Sequence, residues 1–259
     1  MEVKSITAAA TKQRLLNTDV NNLSWEEVLP AIEELIEQGD PAYIVEINVD
    51  VVLKMEKDPY LNQIADRADM VLVDGQPLVW IAKWHKRPIK AKISGSDLVE
   101  ALCKLAGDKG YSIFILGGAE GVGEQAAEKM LAKYPGMKVA GTYAPPWGFE
   151  NDEAEQDAIN EMISSAQPDI LFACLGCPKQ EKWVYENYRK HGAKVSVCAG
   201  ASVDFMAERV KRAPTWMSDH GLEWFYRFLM EPKRLFKRYF IDDVKIIRLI
   251  WKYRNISNH

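Results

Sequence analysis

The stretch VLVDGQP ends a run of apolar, β-branched residues at a carboxylate, Asp74, and a glycine. A carboxylate at such a junction can take a proton from an attacking hydroxyl as a general base. It can equally cap the helix that follows. In LGGAEGVGEQA (116–126), glycines between a strand and a helix let backbone N–H groups approach a phosphate. Gly117 and Gly118 are therefore candidate nucleotide contacts. Gly121 to Ala126 matches the looser G-x-G-x-x-A dinucleotide pattern. The next expected strand ends without the acidic residue that would hold a ribose, so NAD is not expected.

LGCPKQEKW (175–183) places Lys179, Gln180 and Glu181 at a strand end and helix start. The Gln180 amide can pair with a sugar hydroxyl or phosphate. The plainer reading is a helix N-terminus with Glu181 favourable to its dipole. Asp204 in GASVDF can receive a ribose or base donor, or cap a turn. Lys92 in AKISGSD can neutralise a phosphate, or stand as a solvated surface charge. Cys174 and Cys177 form a C-x-x-C, but zinc needs four ligands and no second pair lies near, so both are expected to be structural. There is no D-x-D, Walker loop, G-x-S-x-G or H-E-x-x-H, and the four histidines form no constellation.

The elements that must hold these residues alternate. Strands are expected at 42–50, 69–75, 111–118, 137–143, 169–176 and 193–200. Helices are expected at 51–68, 77–86, 94–110, 122–135, 152–168 and 179–192. Continuous apolar strands separated by helices predict a mostly parallel α/β sheet, Rossmann-like, with helices on both faces. Ligands of such sheets bind at the carboxyl ends of the strands, where Asp74, Gln180 and Asp204 fall.

A chain of 259 residues, 47% hydrophobic, is large enough for a domain with an appendage. It has no signal-peptide run and no stretch of about 18 apolar residues. A cytoplasmic location is expected. The net charge is −4, yet residues 207–259 hold 12 Lys/Arg against 6 Asp/Glu, which leaves −10 on residues 1–206. The division expected is an α/β body (1–206) and a basic, aromatic helical appendage (207–259). That balance points to an anionic partner near the tail only; nucleic acid is one candidate, although an acidic body would repel a long polyanion.

VLVDGQPLVW, ISGSDL, ILGG, GCPKQEKW, DFMAERVKRAP and GLEWFYRFLMEPKRLFKRY occur in the order and spacing that resembles the WecG/TagA/CpsF glycosyltransferases, from about Tyr43 to Tyr253. The resemblance implies a cytoplasmic-face, inverting enzyme of bacterial envelope polysaccharide assembly. It would move a sugar from a UDP-sugar to an undecaprenyl-diphosphate-linked saccharide, without metal or cofactor. It places the base on Asp74, the signature glutamine on Gln180, the strand-end asparagine on Asn48 and a nucleotide contact on Asp204. The acceptor diphosphate falls to Arg227 and Arg234, with Lys237 or Arg238 as the third cation. Two positions depart from the teichoic-acid members: Glu46 replaces threonine, adding a negative charge near the donor, and Lys92 replaces arginine, losing the bidentate fork. N-acetylmannosamine, its uronic acid, glucose or another hexose are all donors the family would allow.

The mechanism expected is a single displacement. Asp74 deprotonates an acceptor hydroxyl, and Lys92, the glycine-turn amides and Gln180 stabilise the departing UDP. In the tail, Phe225, Phe228, Leu235, Phe236 and Phe240 are expected at the headgroup–acyl boundary. Lys233, Arg234, Lys237 and Arg238 would face phosphates. Pro232 is expected to break or restart the helix. A Rossmann oxidoreductase and a nucleic-acid-binding module are the alternatives, and a homo-oligomer is possible.

Overall fold

The computed structural model describes residues 12–210, 213–214, 217 and 223–254. It opens with an antiparallel hairpin, β1 (Lys12–Leu15) and β2 (Thr18–Asn21), and a helix, α1 (Trp25–Gln38). The Glu27 carboxylate accepts from the Ser24 N–H at 2.8 Å to start that helix, and Gly39 in the left-handed conformation ends it. Then follow β3 (Ala42–Ile47), α2 (Val49–Met55), α3 (Pro59–Asp66), β4 (Met70–Val73), α4 (Gln76–Trp84) and α5 (Gly95–Lys109). Next come β5 (Ser112–Gly117), α6 (Val122–Lys133), β6 (Lys138–Tyr143), α7 (Glu153–Ala166), β7 (Ile170–Cys174), α8 (Lys179–His191), β8 (Val195–Cys198) and α9 (Ser202–Met206). Described helices after residue 222 are α10 (Glu223–Met230), α11 (Pro232–Lys237), a π-helical turn (Arg238–Asp242), a 3-10 turn (Asp243–Lys245) and α12 (Ile246–Lys252).

Strands β3 to β8 form one parallel sheet of six, in the order β4-β3-β8-β7-β5-β6. Alternate side chains enter two cores. Tyr43, Val45 and Ile47 of β3, with Val71 and Val73 of β4, meet α2, α3, α4 and α8 on one face. Ala42, Ile44, Met70 and Leu72 meet α1 and α5 on the other. Both faces are covered, which is why the strands are apolar throughout. The α/β class read from the sequence is the fold observed.

Two local outcomes differ from the expected elements. The helix expected over 51–68 is two helices, because Asp58 and Pro59 restart the chain. The Asp58 carboxylate accepts from the N–H groups of Tyr60 and Leu61, and Pro59 takes the first helical turn, where its missing N–H costs nothing. The hairpin lies beside β4, the edge strand on that side. Asn21 Oδ1 accepts from the Val71 N–H at 2.7 Å, so a side chain satisfies an edge amide.

The C-terminal helices pack back on the body. Leu249 of α12 is buried in the core that α2 and α4 share, and the Tyr253 hydroxyl donates to Glu56 at 2.8 Å. Pro232 restarts the chain as expected: α10 ends at Met230 and Pro232 opens α11. Leu235 does not face outward as expected; it is 3% exposed, because the restart turns it inward.

Candidate active site

The carboxyl ends of β4, β3, β8 and β7, four neighbours in the sheet, surround a cleft of about 450 Å³. Strand-end segments line it, with Lys92, Ser94 and Gly95 from the approach to α5 and Trp224, Arg227, Arg238, Tyr239 and Asp243 from the C-terminal segment. This is the crevice that the topology of an open parallel sheet provides, and its volume suits a nucleotide-sized ligand.

Of the residues singled out by sequence, Glu46, Asn48, Asp74, Lys92, Gln180, Arg227 and Arg238 come together in this cleft. Asp74 precedes Gly75, the residue that holds the cap position of α4, and its backbone N–H donates to Ile47 O at 2.8 Å, fixing it to the end of β3. Asp204 lines an adjoining cavity with Phe205, Glu231 and Lys233. Arg227 borders both cavities and stacks over the Phe205 ring at 5.2 Å.

The glycine pair falls elsewhere. Gly117 ends β5, one strand beyond the four that frame the cleft, and neither it nor Gly118 is among the cleft residues. Gly117 has φ of 109° and a Cβ there would collide with the Cys174 carbonyl. Close strand packing accounts for this glycine without a ligand. Gly121 and Gly123 open α6 outside the cleft as well. Lys237 is exposed and lines neither cavity. The side chain of Arg234 lies outside the described residues.

Gln180 does something sequence did not suggest. It is 4% exposed, and its Oε1 accepts from the N–H groups of Gly176 (3.2 Å) and Gly200 (3.0 Å). Its Nε2 donates to Glu181 Oε1 at 2.9 Å. One amide thus ties the loops after β7 and β8 together at the cleft wall. Glu181 is fully buried beside it, and burial holds its carboxyl above the ordinary range.

Glu46, expected to add a negative charge near the donor, lies buried at the cleft. It is the penultimate residue of β3, on the α5 side, 8% exposed. Burial first, then Asp74, Asp97 and Glu181, push its carboxyl well above the ordinary range, which favours its protonated form. Gly95 lies against it: a Cβ at that position would collide with the carboxylate.

Sequence reading missed Asp50, Lys54 and Asp243. Lys54 pairs with Asp50 at 2.8 Å and donates to Cys177 O at 3.0 Å, pinning α2 to the loop after β7. The i,i+4 spacing of Asp50 and Lys54 was the available signal. Asp243 sits near Arg238, with its carboxyl raised to about 6 by burial despite that guanidinium. All four cysteines are free and all but Cys177 are buried, as a structural role requires. Among the described residues no group of His, Cys, Asp and Glu is arranged to hold a metal ion.

An α/β sheet with a cationic appendage over a carboxylate-bearing cleft is the class of protein this site defines. The family model of the WecG/TagA/CpsF glycosyl transferases matches residues 13–259, and the chain belongs to that family. It is an enzyme, a glycosyltransferase. It is similar to the N-acetylglucosaminyldiphosphoundecaprenol N-acetyl-beta-D-mannosaminyltransferases of Bacillus spizizenii (29% identical over 222 residues, 86% of this chain and 83% of that protein) and Bacillus subtilis (32% over 200 residues, 77% and 75%). The protein of the same name from Staphylococcus aureus strain MRSA252 is 26% identical over 237 residues, 91% of this chain and 90% of that protein.

Proposed function

We propose that the enzyme moves a sugar from a UDP-sugar to an undecaprenyl-diphosphate-linked saccharide, in bacterial cell-envelope polysaccharide synthesis. The observation that carries this reading is the meeting of Asp74 and Asn48 with Arg227 and Arg238 in one cleft. Strand ends supply the groups for the sugar nucleotide, and the C-terminal segment supplies cations for a second, diphosphate-bearing substrate. The names of the relatives support the acceptor class and make N-acetylmannosamine the first donor to try.

The step is a single displacement. The acceptor oxygen attacks the anomeric carbon as Asp74 takes its proton; the bond to the UDP oxygen breaks and the configuration inverts. Lys92 stands where it can stabilise the charge growing on the leaving diphosphate. No metal takes part in this scheme, and Asp204 with its adjoining cavity extends the donor site. Arg227 and Arg238 hold the acceptor diphosphate, each able to offer a planar fork of N–H donors.

The enzyme works at the inner face of the cell membrane as a peripheral protein. No described helix is long and apolar enough to cross a membrane. Phe236, Phe240, Ile241, Val244, Ile247 and Trp251 are all exposed on the C-terminal helices, a composition suited to the headgroup–acyl boundary.

The test is UDP release from a panel of UDP-sugars with a short-chain polyprenyl-diphosphate acceptor, with and without EDTA. Transfer that survives EDTA and drops at least a hundredfold in Asp74→Asn is the expected result. Loss of activity in EDTA would sink the metal-free scheme, and near-normal transfer by Asp74→Asn would remove that residue as the base.

A further inference from the structure

The geometry points to Glu46 as the residue that selects the donor sugar, hydrogen-bonding an uncharged hexose and excluding a uronate. This rests on the donor-site reading above and adds a substrate class to it.

Three observations meet at this carboxyl. It lines the cleft among the strand ends, and at 8% exposed it is more than nine-tenths buried. Its Oε1 has no hydrogen-bond partner among the described residues. A buried polar atom left unmatched is costly, and a ligand hydroxyl or amide is what would match it. Gly95 backs the carboxyl closely enough that no side chain fits there, which limits where the group can swing.

The surroundings decide which ligand. Asp74 at the end of β4, Asp97 on α5 and Glu181 on α8 all act on Glu46, with the thiols of Cys174 and Cys198 beside it. Ser94 donates to Asp97 and Gln180 donates to Glu181, so both carboxylates are held in place. Of the cations that line the cleft, Lys54 pairs with Asp50 and Arg238 reaches Asn48; Lys92 and Arg227 line it as well. A uronate placed against Glu46 would bring one more carboxylate among three, and like charges at this range cost affinity. A neutral hexose hydroxyl or N-acyl oxygen would accept from the protonated acid. Burial and those neighbours favour the protonated form.

Calorimetric titration of the full chain with UDP, UDP-N-acetylmannosamine, UDP-glucose and UDP-glucuronate tests this, with Glu46→Gln and Glu46→Ala beside the wild type. The wild type should bind UDP-glucuronate at least about tenfold more weakly than the better neutral sugar nucleotide, the scale of one unmade hydrogen bond. Glu46→Ala should lose that preference while binding UDP as before. Glu46→Gln, which keeps an N–H donor, should recover most of the loss. Wild-type affinity for the neutral sugar should weaken as rising pH ionises the Glu46 carboxyl, and this weakening should vanish in Glu46→Gln. Equal binding of UDP-glucuronate, an unchanged preference in Glu46→Ala, or a Gln variant as poor as Ala overturns the proposal. If UDP binds but no sugar improves it, Glu46 is not the selector and the nucleotide site stands. If the wild type binds neither UDP nor any UDP-sugar, the donor-site reading falls and takes the proposal with it.

Discussion

Arg238 donates from Nη2 to Asn48 Oδ1 at 3.4 Å, joining the C-terminal segment to the end of β3 across 190 residues of sequence. The same guanidinium nitrogen lies 3.9 Å from Asp50 Oδ2, and the buried Nε has no partner among the described residues. Asn48 Oδ1 already accepts from the Val51 N–H at 3.2 Å, so its bond to Arg238 is the long, shared one. An arginine half-buried, loosely tied and short of an acceptor is poised for an anion. Arg238→Ala is expected to raise the KM for the polyprenyl-diphosphate acceptor about tenfold or more. The KM for the UDP-sugar should move less than threefold. Initial-rate kinetics with both substrates varied will show it, and an equal rise in the two would contradict an acceptor-side role.

Gln180 has a structural role that can be separated from substrate contact. Gln180→Ala removes the acceptor for Gly176 and Gly200 and the donor for Glu181. Leaving these buried groups unmatched is expected to cost about 3 kcal/mol, with the thermal midpoint falling by several degrees. Transfer should fall at least about tenfold as the two loops lose register. A variant that keeps its wild-type melting point while losing activity would instead mark Gln180 as a direct substrate contact.

Much of this site could be read before the structure because α/β physics ties function to strand ends. The apolar runs at 42–50 and 69–75 announced two strands, so Asp74 fell where ligands bind, while Asn48, inside the first expected strand, was picked out by the family resemblance alone. The hairpin at 12–21 was not legible: its four-residue strands, KQRL and TDVN, carry no sustained alternation, and tertiary contacts such as Asn21 to Val71 hold it in place. Sheet order was not legible either. That is why Gly117 and Gly118 read as nucleotide contacts: the sequence does not reveal that β5 lies one place beyond the strands framing the cleft. Glu46 defeated sequence reading for another reason, since a glutamate is a charge on paper, and only burial, with Asp74, Asp97 and Glu181 from distant elements, raises its carboxyl.

Glu46 also leaves a mark on stability. Its carboxyl binds a proton more tightly in the folded chain than in the unfolded one. Above the ordinary glutamate value of 4.5, the unfolded chain releases that proton first, so stability falls as pH rises until the folded group ionises too. Glu46→Gln has no such group. The melting point of Glu46→Gln minus that of the wild type should therefore grow as pH rises above 4.5. A constant difference would mean the Glu46 carboxyl is not shifted upward.

His191 should act in the opposite direction. Burial lowers its pKa from 6.5 to about 4, Trp183 stacks on its ring with centroids 5.6 Å apart, and Nδ1 accepts from the Ala193 N–H at 3.2 Å. As pH falls below 6.5 the unfolded chain takes up a proton that the folded ring refuses. Stability should drop by about 3 kcal/mol between pH 6.5 and 4 on this account. His191→Gln, which retains an acceptor for Ala193, is expected to start less stable yet lose less on acidification. Denaturant unfolding at pH 7 and pH 4.5 for both proteins checks the slope, and identical slopes would remove His191 as the cause.

The exposed apolar surface extends beyond the C-terminal helices. Trp84 of α4 lies 6.3 Å from Trp251 of α12, ring centre to ring centre, and both are more than half exposed. Trp80, one turn before Trp84, is exposed as well. The proposed docking face therefore takes in part of the α/β body. Two tryptophans at the interface each bury a large ring whose edge keeps contact with water. Trp84→Ala combined with Trp251→Ala is expected to weaken binding to anionic vesicles at least about tenfold, with the melting point unchanged, since neither ring is in the core. Co-sedimentation at two salt concentrations separates the contributions: the tryptophan term should persist at high salt, while the Lys/Arg term fades with screening. Vesicle binding that disappears at high salt and ignores both tryptophans would leave electrostatics alone as the anchor.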